Sequence, residues 1–150
     1  MSIKTYNLTT KAGYVYVIDQ KGGIKTITDP NGNVLAYTEN GITHSAGKSL
    51  DFVRDNEGRI SDLKYSTGEV VMHYEYFTTG DLEYNQDPLE AKTHYTYNDN
   101  HGLVDIIDPL GRKVVKNIYD ESGRLTGQEN GDGTSKTFDH NITDLCLIPH

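Results

Sequence analysis

"ITDPNGN", residues 27–33, and "IIDPLGR", residues 106–112, place Asp-Pro-x-Gly directly after a short apolar run at two distant points of one chain. A single stretch of this kind is a turn. Proline presets φ, and glycine takes a conformation that other residues resist. Recurrence at matching places predicts a chain built from copies of one unit.

Counting outward from the preceding turn exposes that unit. From Gly22 in "DQKGGI", Ile24 follows at plus two, Asp29 and Pro30 at plus seven and eight, and Gly32 at plus ten. Gly58 gives Ile60 and Gly68; Gly80 gives Leu82, Asp87 and Pro88, with Glu90 where glycine is expected. Position 101 gives Leu103, Asp108, Pro109 and Gly111, and Gly123 gives Leu125, Asn130 and Gly133. The last three steps (58 to 80, 80 to 101, 101 to 123) define a repeat of about 22 residues. The wider gap from 22 to 58 holds a degenerate piece, "AYTENGI", around Gly41. At the fourth anchor stands His101, with Gly102 one place late. Histidine is among the few non-glycine types enriched in the left-handed region, which fits this place; an inserted residue explains it equally.

Asp19, Asp55, Asn98 and Asp120 lie three residues before their anchors, with Phe77 as the exception. An Asx side chain there accepts a hydrogen bond from the backbone two residues on. Tyr76, Tyr97 and Tyr119 lie four before, and Tyr16, Phe52, Tyr74 and Tyr95 six before. A spacing of two puts such pairs on one face of a strand. Each unit therefore reads as an aromatic strand, a D-x-x-G turn, a strand opening with Ile or Leu, and a D-P-x-G turn. Ile24 and Ile27, like Leu103 and Ile106, are three apart, which calls for a β-bulge. The fold class expected is all-β: antiparallel hairpin repeats forming a twisted sheet or spiral ribbon. One domain over 1–150 is expected, with an N-terminal edge strand at 1–13, repeats over 14–133 and a C-terminal edge or cap at 134–150.

Composition bounds the function. Eleven tyrosines, no tryptophan and 35% apolar residues describe half-buried sheet faces better than helices. A formal charge of −8 argues against nucleic acid as a partner. No apolar run is long enough for a membrane span, and "MSIKTYNLTTKAG" lacks the apolar centre of a signal peptide. Cys146, the only cysteine, reads as a small hydrophobe in "DLCLIP".

"YDESGRL", 119–125, followed by the turn seven to ten residues past its glycine, resembles the YD repeat of RHS-type proteins, and "YNDNHGLVDIIDPLG" and "RDNEGRI" are weaker copies. The resemblance covers roughly residues 14–139. Similar proteins include bacterial RHS elements, the shells of Tc toxins and teneurins, in which the repeats wind a β-ribbon into a spiral. The resemblance implies a secreted or cell-surface setting and a structural role, and it transfers no catalytic residue. Residues 134–150 do not resemble the conserved segment tied to self-cleavage in that family, and five short units are too few to enclose anything.

Candidate chemistry is sparse. The acidic turns offer oxygens but complete no calcium loop, and His44, His73, His94, His101, His140 and His150 lack short ligand spacings, so neither metal nor cofactor is expected. No acid, base and nucleophile converge, so an enzyme is not expected. The informative feature is the tyrosine ladder: Tyr16, Tyr74 and Tyr95 in one row, Tyr76, Tyr97 and Tyr119 in another. If buried, these rings are the core; if exposed, they form flat rows on which sugar rings stack. The leading expectation is a non-enzymatic assembly module. Its partner is itself, as a homo-oligomer or filament, or the remainder of a larger YD-repeat protein. The alternative is a carbohydrate-binding module with glycans as partner.

Overall fold

The structure is a computed structural model that describes residues 4–140. Every element is a β-strand, and the strands form a 14-stranded sheet whose order follows the chain from β1 to β14. The all-β, antiparallel hairpin expectation holds. Contacts divide the chain into two units, Met1–His73 and Tyr74–His150.

The first unit contains β1 (Thr5–Thr9), β2 (Val15–Asp19), β3 (Gly23–Thr28), β4 (Val34–Thr38), β5 (Gly41–His44), β6 (Ser49–Arg54) and β7 (Ile60–Tyr65). The division falls within β8 (Val70–Tyr76). The second unit continues with β9 (Leu82–Gln86), β10 (Lys92–Tyr97), β11 (Leu103–Ile107), β12 (Lys113–Tyr119), β13 (Leu125–Asn130) and β14 (Ser135–Thr137).

One turn geometry makes most of these hairpins. In the turns that open at Thr10, Asp29, His44, Asp55, Tyr65, Phe77, Asp87, Asn98, Asp108, Asp120 and Asn130, the first residue's N–H donates to the carbonyl four residues on. The N–H three residues on donates back to the first residue's carbonyl. All these bonds measure 2.8–3.1 Å. This is a three-residue loop in which a type I turn is followed by a left-handed residue. D-x-x-G and D-P-x-G, distinct in sequence, are thus the same turn. At the left-handed position Glu90 has φ 64° and His101 has φ 60°, so His101 stands in for glycine and is not an insertion. The first anchor is corrected: Gly23, with φ 70°, is the left-handed residue of the turn after β2, because the Gly22–Gly23 doublet leaves either residue able to take that conformation. The degenerate piece at Gly41 is a shorter connection, with Thr38 opposite Gly41.

The bulges fall where the three-residue spacing requires them. Ile18 pairs with Ile24 and Val17 with Thr26, leaving Lys25 over; Tyr97 pairs with Leu103 and Thr96 with Asp105, leaving Val104 over. Ser61, Val71, Val114 and Thr126 are passed over in the same way. The extra residue returns two residues three apart to one face of the sheet.

Register then sorts the faces. In the first unit Leu8, Tyr16, Ile27 and Leu35 lie opposite one another across four strands, and Tyr37, Ile42, Leu50 and Tyr65 across another four. The opposite face carries Asn7, Val17, Thr26, Ala36, Thr43 and Ser49 in one row. In the second unit Tyr95, Ile106 and Val115 form an apolar row, and the other face carries Thr96, Asp105, Lys116 and Glu129. Among the described residues no hydrophobic side chain is buried; the apolar rows are half-buried apart from Leu8 and Tyr65, which are exposed.

With little deep burial, turn conformation bears directly on stability. Replacing Glu90 by Gly removes the left-handed penalty and is expected to raise stability by about 0.5–1 kcal/mol, net of the greater freedom of the unfolded chain. A Cβ on Gly123 (φ 77°) meets no atom within 4 Å, so Gly123→Ala isolates backbone strain and should cost about 1 kcal/mol. Urea midpoints of the two variants, moving in opposite directions, check this.

Candidate functional site

The six predicted tyrosines all lie on strands. Tyr16 is on β2; Tyr74 and Tyr76 are on β8; Tyr95 and Tyr97 are on β10; Tyr119 is on β12. All six are half-buried, between the core and the open row that the two readings required. The second unit brings several of them together. Burial, and then the neighbouring Tyr74, raise the Tyr95 phenol above its ordinary range. For Tyr97 burial leads, followed by Asp81 and Tyr95. Tyr16 lies in the first unit and shares none of these interactions.

The hydroxyls of Tyr95, Tyr97 and Tyr119 are engaged. Tyr119 Oη donates to the Leu103 carbonyl at 2.8 Å, and its ring covers Gly102, where a Cβ would stand 3.2 Å from Cζ. Tyr97 bonds with the Leu82 backbone, the equivalent place one repeat earlier. Tyr97 and Tyr119, each just before its turn, therefore latch onto the opening residue of the preceding repeat's second strand. One repeat later His140 Nε2 donates to the Leu125 carbonyl at 2.6 Å, as Tyr119 Oη does to that of Leu103. Tyr95 Oη donates to Asn85 Oδ1 at 2.7 Å. Asn117, six residues before its anchor, replaces an aromatic; its Nδ2 donates to the Leu103 carbonyl at 3.0 Å, and its Oδ1 accepts from Gln128 Nε2 at 3.0 Å.

The turn carboxylates form the second recurring arrangement. Asp108 Oδ1 accepts the Leu110 and Arg112 N–H groups, both at 2.9 Å, while Oδ2 accepts Arg112 Nε at 2.7 Å. Asp55 does the same with Glu57 and Arg59, and Asp120 with Ser122 and Arg124. Asp29 uses Asn33 in place of arginine. The backbone bond two residues on was legible in sequence; the fork to the fifth turn residue was not, although arginine at 59, 112 and 124 signals it. These oxygens are committed to the turn. Among the described residues no group of three or more His, Cys, Asp and Glu is arranged to hold a metal.

The histidines take local partners. His44 Nδ1 accepts the Ala46 N–H at 3.0 Å, His73 Nδ1 lies 2.9 Å from Asp62 Oδ1, and His101 Nδ1 lies 2.8 Å from Asp81 Oδ2. The His94 ring is tilted against Tyr84 at 5.5 Å, and Lys92 Nζ stands 3.9 Å from the centre of the Tyr84 ring. Cys146 and His150, with the last ten residues of the expected cap, lie outside the described residues. Asp105 on β11 is buried beside Thr96 and Lys113, whose Nζ stands 2.8 Å from Oδ2.

No family model matches the chain, and no curated protein matches it. Among solved structures it is similar to the crystal structure of TcdB2-TccC3-TEV, at 18% identity and TM-score 0.44 over 81% of this chain. It is similar also to TcdB2-TccC3 without the hypervariable C-terminal region, at 17% identity and TM-score 0.44 over 81%. The chain spans 6% of the length of either structure.

Two outcomes follow from this geometry. Tyr119→Phe removes the latch to Leu103 and should cost about 0.5–1.5 kcal/mol, read as a lowered urea midpoint. The turn aspartates make stability acid-sensitive. The Arg112 side chain, then its backbone N–H, hold the Asp108 carboxyl below the usual range; at Asp120 the Arg124 backbone N–H leads. A carboxyl with a lowered folded pKa contributes above its unfolded value, about 3.9, and loses that contribution as pH falls through the folded value. The urea midpoint should therefore fall between about pH 5 and pH 2, and Asp108→Asn with Asp120→Asn should flatten the decline.

Proposed function

We propose that this chain is a structural module without catalysis of its own, a ribbon of β-hairpin repeats that assembles with further copies through its terminal strands. The observation that supports this reading is the state of β1 and β14. Each stands at an end of the sheet order, every residue of each is exposed, and neither carries proline. Open strands of this kind present a ladder of backbone donors and acceptors to another strand. Tyr6 and Leu8 of β1, 51% and 55% exposed, extend the apolar face of the first unit to that edge. A strand added there continues both the hydrogen bonds and the apolar rows.

In this reading the tyrosine rows are internal fasteners, since the hydroxyls of Tyr95 and Tyr119 are bonded within the sheet. The YD-repeat resemblance supports an extracellular or cell-surface setting and a place within a larger YD-repeat protein. Repeat stacks need complementary or capped ends, and end-to-end contact between unlike edges gives an open filament.

Light scattering over a concentration series tests the proposal. The weight-average mass should rise with concentration, with fibres visible by electron microscopy. Leu8→Lys, which adds charge to the β1 edge, should hold the chain closer to monomer. A single monomeric mass at every concentration overturns self-assembly.

A further inference from the structure

The repeat rules fail together at one place. The turn after β8 opens with Phe77 where the other D-x-x-G turns have Asp or Asn, and Asp81 follows its glycine where Arg59 and Arg124 follow theirs. The turn after β10 puts His101 where glycine stands at 58, 80 and 123. In the second unit these three departures are neighbours. His101 Nδ1 lies 2.8 Å from Asp81 Oδ2, which also accepts Thr79 Oγ1 at 3.0 Å. A cleft of about 520 Å³ lies beside them, lined by Phe77, Thr79, Tyr97, Asn98, Asp99 and His101. Its size is that of a small-molecule site. Nothing in the turn geometry requires these residues. Glycine and aspartate make the same turn elsewhere, and His101 holds a left-handed conformation, φ 60°, that is unfavourable for a residue with a side chain.

We propose that this cleft binds a neutral carbohydrate, one pyranose ring stacked on Phe77 with its hydroxyls bonded to His101 and Asp99. The chemistry of the lining selects the class. Phe77 is 38% exposed and lines the cleft with an aromatic ring suited to an apolar patch of C–H groups. In the neutral imidazole, Nδ1–H donates to Asp81, which leaves the Nε2 lone pair as an acceptor on a side chain 60% exposed. Asp99 adds a carboxylate, so the lining is rich in acceptors, and carboxylates at 81 and 99 oppose an anion. A ligand that donates several hydrogen bonds, carries no negative charge and has one apolar face satisfies all three conditions. The site is distinct from the tyrosine rows, and it stands whether or not the chain assembles.

The test uses two variants that restore the repeat rule and so keep the fold: Phe77→Asp and His101→Gly. Amide shifts of the whole chain are followed by NMR during titration with methyl β-glucopyranoside, methyl β-galactopyranoside and methyl α-mannopyranoside, with tetramethylammonium chloride as a cationic control. Saturable shifts confined to 77–81 and 96–102 with at least one glycoside are expected. Both variants, at an unchanged or higher urea midpoint, should weaken that binding by about tenfold or more, as loss of a ring contact or a hydrogen bond does. No saturable shift with any glycoside overturns the proposal. So does binding that both variants retain, or a response to tetramethylammonium alone.

Discussion

The structure depends on a carboxylate folded back on its own turn. Asp108 and Asp120 each accept two backbone N–H groups on Oδ1 and an arginine on Oδ2, and the two backbone bonds of the turn close around them. Every partner lies within five residues, so the geometry is specified locally and needs no other part of the chain. That matters in a sheet where no hydrophobic side chain among the described residues is buried. A large core can choose a register by burying the right face; half-buried rows discriminate more weakly. A three-residue loop of fixed shape sets the pairing of the first residues on either side, and the rest of each hairpin follows.

From that register comes the division into faces. In the β10–β11 hairpin a bulge just after the turn shifts the second strand by one residue, which brings Leu103 and Ile106 onto the face of Tyr97 and Tyr95. Tyrosine then joins successive repeats. Its ring packs on the strand of the preceding hairpin while its hydroxyl satisfies a backbone carbonyl there, as Tyr119 does at Leu103. At Leu125 the imidazole of His140 takes the carbonyl in the same way. The Tyr119-Asp120 pair therefore divides the labour: aspartate shapes its own turn, and tyrosine holds that turn's strand to the hairpin before it.

Most of this turn chemistry was legible in sequence, because its causes are local. Asp55, Asn98 and Asp120 announce their bonds by position, the three-residue spacing of Leu103 and Ile106 announces a bulge, and His101 announces a left-handed residue. Gly22 misled because its neighbour is also glycine and backbone freedom alone does not choose between them. The unity of the D-x-x-G and D-P-x-G turns was hidden by proline, which changes the look of the motif without changing its hydrogen bonds. The partners of Asn85, Asn117 and Gln128 were not legible at all. A polar residue at an apolar position acquires meaning only from what register places beside it, here Tyr95 for Asn85 and the Asn117–Gln128 pair. The Phe77, Asp81 and His101 cluster escaped for the same reason, since its members come from two turns.

The exceptions show how the turn divides its requirements. Tyr65 and Phe77 open turns with side chains that offer no short acceptor to the turn's backbone N–H groups, and both turns have glycine, at 68 and 80, in the left-handed place. Glu90 and His101 occupy that place without glycine, and both turns open with a residue that accepts two backbone N–H groups, Asp87 and Asn98. In no turn of this geometry among the described residues are both contributions missing. A left-handed residue with a side chain costs about 1–2 kcal/mol, and each backbone bond to an Asx acceptor contributes about 0.5–1.5 kcal/mol, so one defect is offset by the other contribution and two would not be. Sequence drift is therefore tolerated at either position but not at both. That rule leaves Phe77 and His101 free to depart from the repeat, in separate turns, at the one cleft where the departures meet.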